Sequence, residues 1–380
     1  MLKTIAIVIN TSWNIYNFRL GLLHALRDEG YRVVAIAPKD DYSAKLEQLG
    51  FEYHEIKINN KGTNPVQDLM LLGNLYRVFR KVRPDVILQY TIKPNIYGTL
   101  AAKLAGIPVI NNISGLGTVF LNNNLSSKLA RMLYRFSLGF AQKVFFQNPY
   151  DRQLFIDNRL VKPEVTDLLP GSGINLMKFQ PAKLAKPDVL KSDAPFVFLL
   201  VARMIKDKGI MEFSAAAKII LDDATHAQKV EFWLLGDLYP GNPTAISKQE
   251  IDKWQTDGTV KYLGHVDDVS AVINQANCVV LPSYREGLSR VLLEASALAK
   301  PIVTTDVPGC RDVVDDGVNG YLCIPKDAEN LAIHMLKIMA LPKDKLIEMG
   351  KHGRLKVEQQ FDEKIVIAKY LGSIALLITN

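Results

Sequence analysis

The feature that most constrains this chain is a rhythm. Short uninterrupted apolar runs alternate with helical segments. The alternation stops once, at a Pro-, Lys- and Ala-rich stretch over residues 181–195, and then restarts. A strand that is apolar at every position has both faces buried, so strands of this kind separated by helices imply a parallel sheet covered on both sides. In the first half the strand runs are 5–9, 33–37, 85–89 and 108–113, with helices expected over 19–29, 42–49, 69–82, 96–105 and 125–144. In the second half the strand runs are 196–201, 230–235, 260–263, 278–281, 302–304 and 321–324. A chain of 380 residues is too long for one ordinary core. The expectation is an α/β protein of two doubly wound, Rossmann-like parallel-sheet domains, residues 1–180 and 190–361, facing a central cleft. A last helix, 362–380, is expected to pack back on the first domain. In open sheets of this type ligands bind beyond the carboxyl ends of the strands.

Composition narrows the setting. Hydrophobic residues make up 48% of the chain, which supplies two large cores and argues against disorder. Cys278, Cys310 and Cys323 are too few and too scattered for a disulfide framework or a metal site, and read as free thiols in a reducing compartment. No secretory signal opens the sequence. No run approaches the roughly 18 apolar residues that span a bilayer. The expected location is cytoplasmic. Residues 1–170 hold 21 Lys and Arg against 13 Asp and Glu, a balance of +8, whereas the remainder holds 25 against 26. An anionic partner is therefore expected for the first half alone. The helix over 125–144 sharpens this. Lys128, Arg131, Arg135 and Lys143 interleave with Leu129, Met132, Leu133 and Phe136, a pattern suited to lying on an anionic membrane surface.

The strongest chemical signal is Glu286-Gly-Leu-Ser-Arg-Val-Leu-Leu-Glu294, after the 278–281 strand. A helix beginning near Gly287 would leave the amides of Gly287, Leu288 and Ser289 without intrahelical partners, an arrangement suited to a diphosphate. Two carboxylates at this spacing can accept hydrogen bonds from a sugar and a ribose; equally, Glu286 can cap the helix and Glu294 pair with a cation. Arg203 and Lys208 lie in the loop after the 196–201 strand, where they can neutralise a diphosphate.

Together these segments resemble the retaining glycosyltransferase family 4, of GT-B architecture. Glu286 and Glu294 match the family's glutamate pair, and Arg203, Lys208 and Gly209 its basic loop. Gly236 matches its glycine after a core strand, and Tyr262-Leu-Gly-His-Val-Asp-Asp-Val its base-binding loop. The resemblance implies that Arg203 and Lys208 hold the donor diphosphate, that Glu294 binds the ribose and Glu286 the donor sugar. The backbone near His265 and Val266 would then meet the base, most simply uracil. A solvated loop histidine is the plain alternative for His265.

The first half resembles the branch of the family that extends undecaprenyl-diphosphate-linked sugars, including N-acetylgalactosaminyltransferases of capsule, O-antigen or protein-glycan assembly. The segments that carry this are Thr11-Ser-Trp-Asn-Ile-Tyr-Asn-Phe-Arg19, Thr91-Ile-Lys-Pro-Asn-Ile-Tyr-Gly and Ile113-Ser-Gly-Leu-Gly-Thr. Expected acceptor-binding residues are Asn17, Arg19, Lys93, Ser114, Gly115 and Gly117. A histidine that some members carry after the fourth strand is replaced here by Ser114-Gly-Leu-Gly, so that role does not transfer. The implied reaction moves a hexose or N-acetylhexosamine, best GalNAc, from a UDP-sugar to a lipid-diphosphate-linked saccharide with retention. Catalysis would rest on Glu286, Arg203 and Lys208. No metal is expected, since no Asp-x-Asp motif is placed to hold one. Two rival readings stand beside it: a GT-B sugar-nucleotide 2-epimerase or phosphorylase, and a non-catalytic polyanion-binding protein. Nucleic acid is not an expected partner, because the aromatic residues do not interleave with Lys and Arg in a strand-binding pattern.

Overall fold

The computed structural model describes residues 2–59, 64–116, 125–181, 194–225 and 229–379, without the side chains of 125 and 126. The chain divides into two compact units, 1–173 with 363–380, and 174–362. The expected linker, 181–195, lies almost wholly outside the described residues. The division falls at 173/174, so residues 174–180 belong to the second unit rather than the first. Ile174 and Phe179 explain why: both are buried in the second unit's core.

The first unit is a seven-stranded parallel sheet in the order β3-β2-β1-β4-β5-β6-β7. Its strands are β1 (Thr4–Val8), β2 (Arg32–Ala37), β3 (Glu52–Glu55), β4 (Val86–Tyr90), β5 (Val109–Ile113), β6 (Lys143–Phe146) and β7 (Thr166–Leu168). The helices are α1 (Ser12–Phe18), α2 (Leu20–Asp28), α3 (Ser43–Gln48), α4 (Pro65–Val82), α5 (Thr99–Ala105), α6 (Leu125–Leu138) and α7 (Pro149–Asp157). Local chemistry sets their ends. Asn64 caps α4 by accepting from the amides of Val66 and Gln67, with Pro65 in the first turn. Gly106, at φ 73°, ends α5 in the left-handed conformation.

Apolar side chains fill both faces of this sheet, one under α4, α5 and α6 and the other under α2. The last helix, α14 (Glu363–Thr379), joins the second of these cores. It buries Val366, Tyr370 and Ile374, one residue per turn on a single face.

Three expectations for this unit are corrected. Residues 11–19 are not a loop: Thr11 caps α1 by accepting from the Asn14 amide, and Arg19 breaks it from α2. The helix expected over 125–144 stops at Leu138, because Val144, Phe145 and Phe146 are fully buried as strand β6. The stretch before α5 is a π-helical turn, Pro94–Gly98, rather than regular helix. A Cβ on Gly98 would sit 2.7 Å from Gln89 Oε1, so this turn lies directly on β4.

The second unit is a six-stranded parallel sheet in the order β10-β9-β8-β11-β12-β13. Its strands are β8 (Phe196–Val201), β9 (Val230–Leu235), β10 (Lys261–Tyr262), β11 (Cys278–Leu281), β12 (Ile302–Thr305) and β13 (Gly320–Cys323). Its helices are α8 (Ile210–Leu221), α9 (Lys248–Thr256), α10 (Val269–Gln275), α11 (Arg290–Ala297), α12 (Ala328–Met339) and α13 (Lys343–Gln360). The three cysteines are buried free thiols here, and desolvation pushes all three well above their ordinary pKa, Cys310 and Cys323 to about 12.

In each unit the strand order reverses beside the first strand, between β1 and β4 and between β8 and β11. At such a point the two adjoining connections leave to opposite sides of the sheet and open a crevice at the carboxyl edge.

Candidate active site

In the second unit, four loops converge on the carboxyl edge where the strand order reverses. The loop after β8 carries Arg203 and Lys208. Gly209, at φ 73°, ends its short turn, and a Cβ there would lie 2.1 Å from the Pro282 carbonyl oxygen in the loop after β11. These two loops are also joined by hydrogen bonds. The Tyr284 amide donates to the Asp207 carbonyl at 2.9 Å, and Ser283 Oγ donates to the same oxygen at 3.2 Å. The loop after β12 closes on the other side. The Glu286 amide donates to Pro308 O at 3.2 Å and the Ser289 amide to Gly309 O at 2.9 Å. The loop after β9 is held by Gly236, at φ 138°, where a Cβ would meet Ala202 O at 1.9 Å.

This framework brings Lys208 and Glu286 together. Lys208 Nζ lies 2.5 Å from Glu286 Oε1, and their side chains are only 20% and 13% exposed. A cation and a carboxylate held here by backbone contacts can address an anion and a polyhydroxyl group side by side. Arg203 is in the same loop but exposed, with its guanidinium 5.1 Å from the centre of the Tyr239 ring.

The helix after Glu286 starts later than expected. Ser289 is extended (φ −74°, ψ 110°) and is the N-cap, so α11 begins at Arg290. The amide of Ser289 is already engaged by Gly309 O. The first-turn amides are therefore those of Arg290, Val291 and Leu292 rather than Gly287, Leu288 and Ser289. Glu294 is buried and pairs with Arg290, whose Nε donates to Oε1 at 2.9 Å. Desolvation raises its pKa, and the Arg290 cation opposes the rise. The pairing alternative stated for Glu294 is thus what the fold displays.

His265 is exposed beside two carboxylates, with Nδ1 3.1 Å from Asp237 Oδ2 and Nε2 3.7 Å from Asp267 Oδ1. Val266 is half-buried against the core next to it. The Gly236 amide donates to Gly264 O at 2.8 Å, and Tyr262 Oη donates to Gly236 O at 2.8 Å, which ties this loop to β9.

Tyr284 was not singled out by sequence, although it lies in the strongest motif. Its hydroxyl donates to Glu212 Oε1 at 2.7 Å, and Lys326 Nζ lies 4.8 Å from its ring centre. It thus fastens the β11 loop to α8. Glu212 has no local sequence signature, and only the fold brings it to Tyr284.

In the first unit, Asn17 lies on α1, where Nδ2 donates to Trp13 O at 3.0 Å. Lys93 is paired within the unit: Nζ is 2.7 Å from Asp68 Oδ1, in a pair only 16% and 8% exposed, and Tyr97 Oη donates to the same carboxylate. Ser114 is exposed just after β5, and Gly115 follows at φ 133°, a conformation that glycine permits. Gly117 lies outside the described residues. Arg19 is 7% exposed, with its guanidinium 4.5 Å from the centre of the Tyr90 ring.

Comparison with known proteins places these features in company. Residues 195–340 match the family described as Glycosyl transferases group 1, and residues 4–148 the family described as Glycosyl transferase 4-like. An N,N'-diacetylbacillosaminyl-diphospho-undecaprenol α-1,3-N-acetylgalactosaminyltransferase of Campylobacter jejuni is 30% identical over 97% of this chain and 97% of its own. A UDP-Gal:α-D-GlcNAc-diphosphoundecaprenol α-1,3-galactosyltransferase of Escherichia coli is 26% identical over 78% of this chain and 76% of its own. Among solved structures, a glycosyltransferase of Rickettsia africae superposes with a TM-score of 0.80 at 18% identity, covering 100% of this chain and 99% of that one. The Anabaena protein HepE, in complex with UDP and glucose, superposes with a TM-score of 0.77 at 19% identity, covering 99% and 100%. These last two likenesses establish the fold.

Proposed function

Since this chain belongs to the group 1, family 4-like glycosyltransferases and has their GT-B fold of two parallel-sheet units, we propose that it moves an N-acetylhexosamine from a UDP-sugar to a saccharide carried on a polyprenyl diphosphate, with retention at the anomeric carbon. The single observation that carries the donor half of this reading is the Lys208–Glu286 contact at the carboxyl edge of the second sheet. The transferred sugar is N-acetylgalactosamine, as the name of the Campylobacter relative suggests. The pathway is cell-surface glycan assembly, the setting of the relatives that extend diphospho-undecaprenol sugars.

In this mechanism the departing UDP carries the developing negative charge. Lys208 and Arg203 meet the diphosphate, aided by the first-turn amides of α11. Glu286 holds the donor sugar and turns its anomeric carbon toward the acceptor. The acceptor hydroxyl attacks on the face the diphosphate leaves, and its proton passes to the departing phosphate oxygen. Glu294, already set by Arg290, receives the ribose hydroxyls, and the backbone at His265 and Val266 meets the uracil. Gly236 keeps the β9 loop close to β8 so that this backbone is within reach. Asn17, Ser114, Gly115 and Gly117 belong to the acceptor side. Transfer needs no metal in this reading. Lys208 and Arg203 supply the positive charge that the departing diphosphate requires.

The first unit works at an anionic membrane surface, where the lipid-linked acceptor resides. Among the described residues no helix is long and apolar enough to cross a membrane. α6 instead exposes Leu129, Met132 and Phe136 beside Lys128 and Arg135. Such a face binds by shallow insertion combined with attraction to anionic lipid.

The test is a screen of UDP-sugars against short-chain polyprenyl-diphosphate saccharides, with and without EDTA, reading released UDP and the anomer of the product. UDP-GalNAc is expected to give an α-linked product with EDTA present. Turnover confined to GDP- or ADP-sugars, a β-linked product, or abolition by EDTA would each remove the corresponding part of the reading.

A further inference from the structure

Outside the second unit's candidate site, unsatisfied buried polar groups lie at the carboxyl edge of the first sheet. Arg19 is more than nine-tenths buried, and no carboxylate pairs with it among the described residues. Its Nη1 donates to Phe18 O at 2.9 Å, its guanidinium stacks on Tyr90, and its Nε has no hydrogen-bond partner. An unpaired buried cation is costly to keep. The neighbouring Lys93 shows the usual remedy, a buried aspartate.

Three further buried polar atoms in the connections that follow β1 and β4 are also unpartnered, Asn14 Oδ1 on α1, Thr91 Oγ1 directly after β4 and Asn95 Oδ1 in the π-helical turn. Thr91 holds φ 66°, a left-handed conformation that a β-branched residue rarely adopts. Arg19 and Asn14 follow β1, while Tyr90 and Thr91 end β4. These are the two strands between which the order of the sheet reverses, so the unsatisfied groups cluster at the crevice where a doubly wound sheet binds its ligand.

We infer that Arg19 recognises the diphosphate of the acceptor at the crevice between β1 and β4. This deepens the proposed function and rests on it for the identity of the ligand. The chemistry is that of a guanidinium meeting phosphate oxygens through paired N–H donors. Arg19 keeps 7% of its surface exposed, and binding would turn its long side chain from the face of Tyr90 toward the incoming anion. The cation now stacked on Tyr90 then acquires the counter-charge that the protein itself does not provide. The stack is weaker than a charge-assisted hydrogen bond to phosphate, which gives the exchange its direction. Asn14 and Thr91 would line the same crevice with polar groups held ready for the ligand.

The test uses the full-length protein with UDP at saturation, so that the donor site is filled, and titrates inorganic pyrophosphate by calorimetry. Wild type is expected to bind it, R19Q at least about tenfold more weakly, and R19K, which keeps the charge but loses the paired donors, between the two. In parallel, kcat/KM is compared for one saccharide carried on a short prenyl diphosphate and on an uncharged alkyl chain. The preference of wild type for the diphosphate carrier is expected to fall at least about tenfold in R19Q and to persist only in part in R19K. Equal pyrophosphate affinity in wild type and R19Q overturns the inference while leaving glycosyl transfer intact. An R19Q variant that loses activity on both carriers in the same proportion reveals a purely structural arginine and overturns it as well. Loss of pyrophosphate binding in R19Q without transfer to any prenyl-diphosphate saccharide keeps the anion site and refutes the acceptor reading. If R19Q does not fold, T91V carries the binding arm, and undiminished pyrophosphate affinity there counts against the site.

Discussion

Replacing Glu286 by Gln separates two roles that a single glutamate at this position combines. The substitution keeps shape and removes one charge from a contact of 2.5 Å between side chains 20% and 13% exposed. Two unit charges about 4 Å apart attract by about 4 kcal/mol at an effective dielectric near 20. Desolvation of both groups and partial exposure reduce the net coupling to about 2 kcal/mol. In a unit of this size that corresponds to a fall in Tm of about 4–8 °C. Binding moves the other way. Glu286 competes with a diphosphate for Lys208 and repels it, so E286Q is expected to bind UDP about tenfold more tightly, about 1.4 kcal/mol. Transfer nevertheless falls at least about a hundredfold, about 2.7 kcal/mol of barrier, because the donor sugar loses its acceptor of hydrogen bonds. Calorimetry with UDP, thermal melts and UDP release under saturating acceptor read these three quantities. K208M is the partner measurement: it weakens both UDP binding and transfer, and the double variant recovers part of the lost stability. Transfer by E286Q within about tenfold of wild type, or weaker binding of UDP, would refute the reasoning.

Three more outcomes follow from the coordinates. Lys300 is half-buried, donating to the carbonyls of Asn274 and Ala276, and desolvation lowers its pKa to about 8. Its folded pKa lies below the unfolded value of 10.5, so stability rises with pH across that window as the buried charge is relieved. Denaturant titrations should show wild type gaining on the order of 3 kcal/mol relative to K300M between pH 8 and 10.5, and a constant difference would refute the assignment. G236A forces a Cβ against Ala202 O at 1.9 Å and should cost more than about 2 kcal/mol, whereas G258A, at φ 75° with nothing within 4 Å, should cost about 1 kcal/mol. Thermal melts that rank the two equally would show that φ alone sets the cost. M132D/F136D removes two exposed apolar anchors from α6 and should weaken binding to anionic vesicles at least about tenfold, with the residual binding salt-sensitive. Unchanged flotation with such vesicles would place the membrane contact elsewhere.

The sheet architecture was legible because a fully buried parallel strand leaves a continuous apolar run. Residues 33–37, 196–201 and 278–281 show this and became β2, β8 and β11 with little shift. The strands that escaped notice have weaker runs. β3 is Glu-Tyr-His-Glu and lies at the edge of the sheet, half-exposed, so it has no apolar signature. β6 reads as part of the preceding helix because Phe136, Phe140 and Val144 continue a four-residue apolar spacing, although Gly139 and the turn after it end α6. The donor residues were legible in part. Glu286 and Lys208 lie far apart in sequence, and their contact depends on Gly209 and Gly309, whose backbones approach Pro282 and Glu286 more closely than any side chain allows. Tyr284 and Glu212 carried no signal, because their pairing is a property of two elements that only the fold brings together.

The two ends of the chain's logic meet at the strand-order reversals. In the second unit the reversal between β8 and β11 gathers a cation and a carboxylate that satisfy one another. In the first, at the reversal between β1 and β4, Arg19 has no paired carboxylate among the described residues, while the neighbouring Lys93 has Asp68. The difference has a chemical reason under the proposed reaction. The donor brings both a diphosphate and a sugar to one place, so a paired Lys and Glu can exchange one another for the two parts of a single ligand. At the acceptor's diphosphate there is charge to meet and no hydroxyl to orient, and a resident carboxylate would only compete with the ligand for the arginine. Introducing one tests this directly. Thr91→Asp places a carboxylate directly after β4, next in sequence to Tyr90, on whose ring Arg19 stacks. It should weaken pyrophosphate binding to the UDP-saturated protein at least about tenfold, as R19Q does, while raising thermal stability by pairing the buried cation. A variant that is stabilised but binds pyrophosphate as wild type does would show that Arg19 meets no anion there.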